Sequence, residues 1–216
     1  MTRRPYHRAS VDERRRELIE ATLDCIAEFG LHGATVRQIA IRAGVTGGLI
    51  RHYFSSKEQM VQAAFHETMT GMTDQAVDQV QAAGADPRDR LKAFILANLS
   101  GPVTDSRSLT LWASFISQVR VDPALALVHR EGYIAFRQVI EDLVSDLFVH
   151  SGQPVDRQEC HRHAIAINGL IDGLWLEACL APDLFAESEI ASVALASVEA
   201  IIGLPLVTFQ SLKDTF

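Results

Sequence analysis

Apolar side chains recur at three- and four-residue spacing along nearly the whole chain, and the alternation that marks strands hardly appears outside the stretch from Leu204 to Phe209. The pattern predicts an all-α fold. Ser10 and Glu13 form a capping box ahead of Leu18, Thr22, Ile26 and Phe29, and Gly30 is placed to close that helix. Thr35 with Gln38 makes a second box, and Ser55 with Glu58 opens a long helix running to about Ala83, before the break Gly84-Ala85-Asp86-Pro87. Asp86-Pro87 and Asp122-Pro123 each set a capping carboxylate before a proline at the first helical position, and Asp156 with Glu159 makes a further box. Helices are thereby predicted near 87–99, 105–119, 123–149, 157–180 and 187–203, interrupted by Gly152-Gln153-Pro154 and Ala181-Pro182-Asp183.

Within that series, Thr35 to Phe54 has a distinct form: a short amphipathic helix, a glycine-centred turn and a second short helix, the pattern of a helix-turn-helix. Val36, Ile39, Ala40 and Ala43 make one apolar face, Gly44 provides the exit, Val45 is the expected buried plug, and Thr46 caps the second helix. Leu49 and Ile50 hold that helix to its scaffold. Thr46, Gly47, Gly48, Arg51 and His52 remain outward, followed by Tyr53. Small residues at its start permit close approach to a groove, and the basic and aromatic groups behind them suit phosphate and base-edge contacts.

Charge strengthens that reading. The chain is net −7, yet its first sixty residues hold ten Lys and Arg against seven Asp and Glu, a local +3 that leaves −10 on the rest. Affinity for a phosphate backbone depends on clustered cations rather than on overall charge. Arg3, Arg4, Tyr6, His7 and Arg8 precede the first cap as an arm that either remains solvated or reaches DNA. With 216 residues and 48% hydrophobic content there is material for a small head and a larger core. Charges interrupt every apolar stretch before it is long enough to cross a bilayer, and no apolar run follows the basic N-terminus, so a soluble cytoplasmic chain is expected. Cys25, Cys160 and Cys179 lack metal-site spacing and read as reduced, packed thiols.

The segment from Ala21 to Phe65 resembles the N-terminal domain of the TetR family of bacterial repressors. The resemblance covers roughly residues 11–65 and is carried by Ala21, Phe29, Gly30, Thr35, Ile39, Ala40, Ala43, Gly44, Val45, Tyr53, Phe54 and Lys57. It implies that Thr35, Tyr53 and Lys57 touch phosphates of a double-stranded operator and that Thr46, Gly47, Gly48, Arg51 and His52 face the major groove. It further implies a DNA-binding domain over 1–55 and a helical ligand-binding and dimerisation domain over 56–216.

In that body the helices at 157–180 and 187–203 are apolar or small around most of their circumference, so each needs two partners. A homodimer built from this pair fits a head that requires paired half-sites, and the TetR resemblance implies the same interface. Trp112, Phe115, Tyr133, Phe136 and Trp175 either line a cavity or fill the core. The segments Leu111 to Phe115 and Asn168 to Leu180 resemble the BetI-type branch of the family, choline-responsive repressors. A quaternary ammonium suits aromatic faces plus a carboxylate, for which Asp172 and Glu177 are available, with Asn168 one turn before Asp172. Alternatively, Asp172 serves the dimer contact or local polar satisfaction.

No cofactor is called for. Cys160, His161 and His163 supply too few ligands for a metal site, and phosphate-loop, dinucleotide and nucleophile-elbow sequences are absent. A ligand-responsive repressor of unidentified inducer, not an enzyme, is the reading that results. Its rivals are a ligand-binding protein with an incidental helix-turn-helix and an enzyme using the cavity.

Overall fold

The computed structural model describes residues 10–100, 104–186 and 188–206; the N-terminal arm and the end of the strand-like tail lie outside the described residues. Nine α-helices are found among them: α1 Val11–Gly33, α2 Val36–Arg42, α3 Gly47–Tyr53, α4 Lys57–Ala82, α5 Pro87–Ala97, α6 Ser106–Ile116, α7 Pro123–His150, α8 Arg157–Leu180 and α9 Glu189–Ile202, with a 3-10 turn at Pro182–Leu184. Leu204 to Leu206, the described part of the strand-like tail, forms no strand.

Most predicted starts are built as their chemistry requires. Ser10 with Glu13 and Thr35 with Gln38 form reciprocal capping boxes. Asp86 accepts from Arg88 N, and Asp122 accepts from Ala124 N at 2.9 Å. Two starts differ in detail. Ser56, not Ser55, caps α4 by accepting from Gln59 N at 3.2 Å, because the chain enters the helix one residue later than the Ser55/Glu58 spacing suggests. Asp156 accepts from Gln158 N at 2.8 Å, while Glu159, its expected reciprocal partner, lies 3.8 Å from His163 instead.

Among the described residues, those up to Thr68 together with Thr110–Val128 form one compact unit, and those of Met69–Leu109 and from His129 to Leu206 form a second. The first unit therefore reaches past residue 55. Its core is Leu18, Ile19, Ile26, Ile39, Ile50, Met60 and Phe65, and Phe65 stacks on Phe115 with ring centroids 4.6 Å apart. Thr22 is buried among these and donates its hydroxyl to Leu18 O at 2.7 Å, so no polar group is stranded there. Gly30 does not terminate α1 cleanly. It breaks the helix at φ 69°, ψ 170°, and a further turn follows. Because only glycine occupies that region readily, Gly30→Ala should destabilise the fold by about 1–3 kcal/mol, read from urea unfolding; an unchanged midpoint would mean the break relaxes without strain.

In the second unit Leu91, Phe94 and Ile95 of α5, Ile140, Val144 and Leu147 of α7, Ala164, Ile167 and Ile171 of α8, and Ala194, Val198 and Ile202 of α9 are buried. Arg90 with Asp146 ties α5 to α7 at 2.9 Å, and His161 with Glu141 ties α8 to α7 at 2.6 Å. The α8 and α9 faces turned from this core differ from ordinary surface. Ile165 is 46% and Val193 44% exposed, and Ala166, Gly169, Gly173, Ala196 and Ala200 lie exposed along the same two helices. Among the described residues no helix is long and apolar enough to cross a membrane.

Candidate nucleic-acid interface and carboxylate cluster

The helix-turn-helix is assembled by caps and a glycine. Thr46 accepts from Leu49 N at 3.3 Å to start α3, and Gly44 sits in the left-handed region at φ 64° so that the chain can leave α2 sharply. Ile50 is buried on the scaffold side, whereas Val45, the expected buried plug, is only half-buried, since the turn that carries it runs along the surface. Phe54 is buried at the end of α3, and Arg15 of α1 lies over its ring at 5.4 Å, fastening that end through a cation–π contact.

What remains outward is Thr46, Gly48, Arg51 and His52, all exposed, with Gly47 and Tyr53 half-buried. Among the described residues no ion pair engages Arg51. Arg42 is different: its guanidinium pairs with Glu28 and lies 3.8 Å from Asp24, so part of the head's positive charge is spent inside the head. Thr35 is exposed with its hydroxyl on Gln38. Lys57 is half-buried and donates to Leu31 O at 3.0 Å, bracing the chain just after the Gly30 break with one of its three N–H groups.

The other predicted side chains fall in several places. Phe115 is fully buried against Phe65, and Trp112 is half-buried on α6, both in the first unit. In the second, Phe136 packs on Phe94 with centroids 5.1 Å apart, Trp175 is buried, and Glu177 is exposed. Tyr133, Asn168 and Asp172 come together. Tyr133 Oη and Asn168 Nδ2 each donate to Asp172 Oδ2 at 2.9 Å, and Asn168 is only 7% exposed. Both donors meet one oxygen; among the described residues no hydrogen bond engages Oδ1.

His129 completes this group with its ring centroid 4.3 Å from that of Tyr133. Its four-residue spacing from Tyr133 on a predicted helix was the available signal. Burial pushes the His129 imidazole down and the Tyr133 phenol up, the latter helped by the neighbouring Asp172 charge. Two descriptions of Asp172 differ: the residue as a whole is exposed, while its carboxyl group is crowded enough that burial pushes its pKa up against the opposing hydrogen bonds of Tyr133 and Asn168. The surroundings of the carboxyl group itself govern the direction. Arg137 directs its Nε to Tyr133 O at 3.2 Å, and among the described residues no ion pair engages Asp172. Among the described residues no cluster of three metal-ligating side chains occurs; Cys160 is buried, and His163 packs edge-on against Phe148.

Comparison with known proteins matches both parts of this arrangement. Residues 18–64 match the bacterial regulatory proteins of the tetR family, and residues 87–203 match the family described as BetI-type transcriptional repressor, C-terminal. The HTH-type transcriptional regulator BetI of Escherichia coli (strain SMS-3-5 / SECEC) is 34% identical over 168 residues, 77% of this chain and 83% of that protein. A Pseudomonas aeruginosa PAO1 protein ascribed to transcriptional regulation superposes with a TM-score of 0.81 at 30% identity, over 91% of this chain and 93% of the other. A Saccharomonospora viridis protein solved in complex with choline shares the fold, with a TM-score of 0.67 at 20% identity over 89% and 96% of the two chains. These relatives are regulators rather than enzymes. A capped helix-turn-helix head, an all-helical body and matches across both make this chain a DNA-binding transcriptional regulator of the TetR family with a BetI-type C-terminal domain.

Proposed function

We propose that two copies of the chain, paired through α8 and α9, repress transcription in the cytoplasm by holding a roughly palindromic operator, and release it when a small cation of the choline class reaches Asp172. The observation that carries the DNA-binding part is the outer face of α3, where Arg51 and His52 stand exposed on a helix anchored by Ile50 and Phe54. Thr46, Gly47, Gly48, Arg51 and His52 then meet the major groove, and Thr35, Tyr53 and Lys57 the phosphates. Arg51→Ala should weaken operator binding by about 1–3 kcal/mol and relax sequence preference, with the unfolding midpoint unchanged; equal affinity for operator and unrelated DNA in both proteins would count against the assignment.

The apolar surfaces of α8 and α9 support pairing, because an isolated chain would leave Ile165 and Val193 in water. Support for the ligand comes from Asp172, whose Oδ1 engages no hydrogen bond among the described residues and can accept from a hydroxyl, while the carboxylate charge and the Tyr133 ring attract a quaternary ammonium. The choline held by the Saccharomonospora viridis neighbour and the BetI relatives favour that class. The inducer contacts proposed are thus Tyr133, Asn168 and Asp172, which are joined by hydrogen bonds, not Phe115, whose ring is enclosed, nor Glu177, which has no hydrogen bond to this group among the described residues. Release is linkage: the cation weakens DNA binding to the extent that it favours a dimer with mismatched α3 spacing.

The test is fluorescence anisotropy of the purified protein on DNA from its own upstream region, titrated with salt and repeated with choline, betaine aldehyde and unrelated amines. Tight, salt-sensitive binding released by one compound is expected. Absence of any specific binding would sink the regulator reading, and release by uncharged compounds alone would sink the cation.

A further inference from the structure

We propose that Met69 of α4 and Gly132 of α7 form the joint that couples the Asp172 cluster to the helix leading from the head, an inference that rests on the ligand-released repressor reading above.

Gly132 lies inside α7, where glycine costs about 1 kcal/mol relative to alanine, and it is not among the glycines with positive φ, so the backbone does not require it. The neighbour does. A Cβ built at Gly132 would lie 2.9 Å from Met69 Cε, 3.2 Å from Met69 Cβ and 3.5 Å from Met69 Cγ. The terminal methyl can swing aside, but Met69 Cβ is fixed to the backbone of α4, so the helix itself would have to give by some tenths of an ångström. Among the described glycines, Gly132 is the one whose missing Cβ is replaced by another helix's side chain.

The position of this contact gives it a role. Tyr133 is the next residue of α7 and places its hydroxyl on Asp172; His129, one turn earlier, packs on the Tyr133 ring. A ligand that draws on Asp172 Oδ1 therefore pulls on the same helical turn that cradles Met69. On the other side, α4 is a single helix from Lys57 to Ala82. Methionine is unbranched and adaptable, so the contact can be remade after a small slide of α4, as a two-position joint needs.

Gly132→Ala puts a wedge in the joint and should weaken operator binding of the full-length protein about fivefold or more with no compound present. Adding Met69→Gly removes the Cβ that the wedge cannot displace, together with the Cγ and Cε beside it, and affinity should return to within about twofold of wild type, a rescue that general destabilisation would not give. An unmoved Gly132→Ala, or a double variant no better than the single, overturns the joint. A wild type that binds no operator would overturn the repressor reading itself, which separates the two failures.

If Gly132→Ala does not fold, the wild type carries the test. Its four methionines can be methyl-labelled with carbon-13 and the Met69 signal assigned by its loss in Met69→Leu. That signal should shift when operator is added. A Met69 methyl indifferent to operator, while DNA binding is evident, overturns the proposal.

Discussion

A Val193→Arg variant should run as a monomer in sedimentation experiments and bind the operator about a hundredfold to ten-thousandfold more weakly than wild type. Val193 is 44% exposed in the single chain, so the arginine has room and water, and the monomer's own core of Ala194, Val198 and Ile202 is undisturbed. In the proposed dimer the same position is covered. A two-fold axis places the substitution in the interface twice, and each guanidinium would lose water in a face whose exposed residues include Ile165, Ala166, Ala196 and Ala200. Gly169 and Gly173 point the same way, since an added Cβ at either meets nothing within 4 Å in the lone chain, which leaves their smallness without an internal reason. The size of the loss follows from effective concentration: two α3 helices joined in one particle bind half-sites as a single event, and separated heads do not. Val149→Arg, on an exposed residue at the end of α7, serves as the control and should remain dimeric. A Val193→Arg protein that stays dimeric with full operator affinity would place the interface elsewhere.

The boundaries of the helices were legible in the sequence because capping chemistry is local. Ser10, Thr35, Thr46, Asp86, Asp122 and Asp156 each accept a backbone N–H within three residues, and a carboxylate or hydroxyl before an apolar series has few other uses. Where two serines are adjacent, as Ser55 and Ser56 are, the Ser55/Glu58 spacing pointed to the neighbour of the residue that caps the helix. The outward face of α3 was legible for the same reason, since a seven-residue helix with one buried Ile50 has little choice about what faces out. The carboxylate cluster was not. Tyr133 and Asp172 are thirty-nine residues apart, and whether they meet depends on the relative rotation of α7 and α8, which no periodicity encodes. Hydrophobicity likewise could not separate Phe115, enclosed against Phe65, from aromatics nearer the acid, because a cavity wall and a core present the same residue types. Lys57 shows a third limit: its bond to Leu31 O exists only because Gly30 breaks α1 and turns that carbonyl toward it.

Asp172→Asn should lower choline affinity about tenfold to a hundredfold, the order expected when a charge-assisted contact is replaced by a neutral one, and should remove the pH dependence of binding. The sign follows from the surroundings of the carboxyl group. Burial raises the Asp172 pKa above the ordinary aspartate value, with Tyr133, Asn168, His129 and Arg137 all acting in the opposite direction. A proton and a cation compete for the same carboxylate, Oδ1 being the oxygen that accepts no hydrogen bond among the described residues. Choline should therefore bind fully above the raised pKa of Asp172 and progressively less well as pH falls through it, a decline that sets in at higher pH than an unperturbed aspartate would give. Stability runs the other way. A carboxyl whose folded pKa is raised contributes stability that is present below its unfolded pKa and lost as pH rises through the folded value, so at neutral pH its ionisation opposes folding. Asparagine keeps a carbonyl oxygen for the Tyr133 and Asn168 donors and has no charge to bury, so the ligand-free variant should unfold at a temperature no lower than wild type at pH 7, with the two converging in acid. Weaker choline binding joined to undiminished stability distinguishes a ligand carboxylate from one that only holds α7 to α8. A variant that loses stability and keeps its choline affinity would assign Asp172 to the fold.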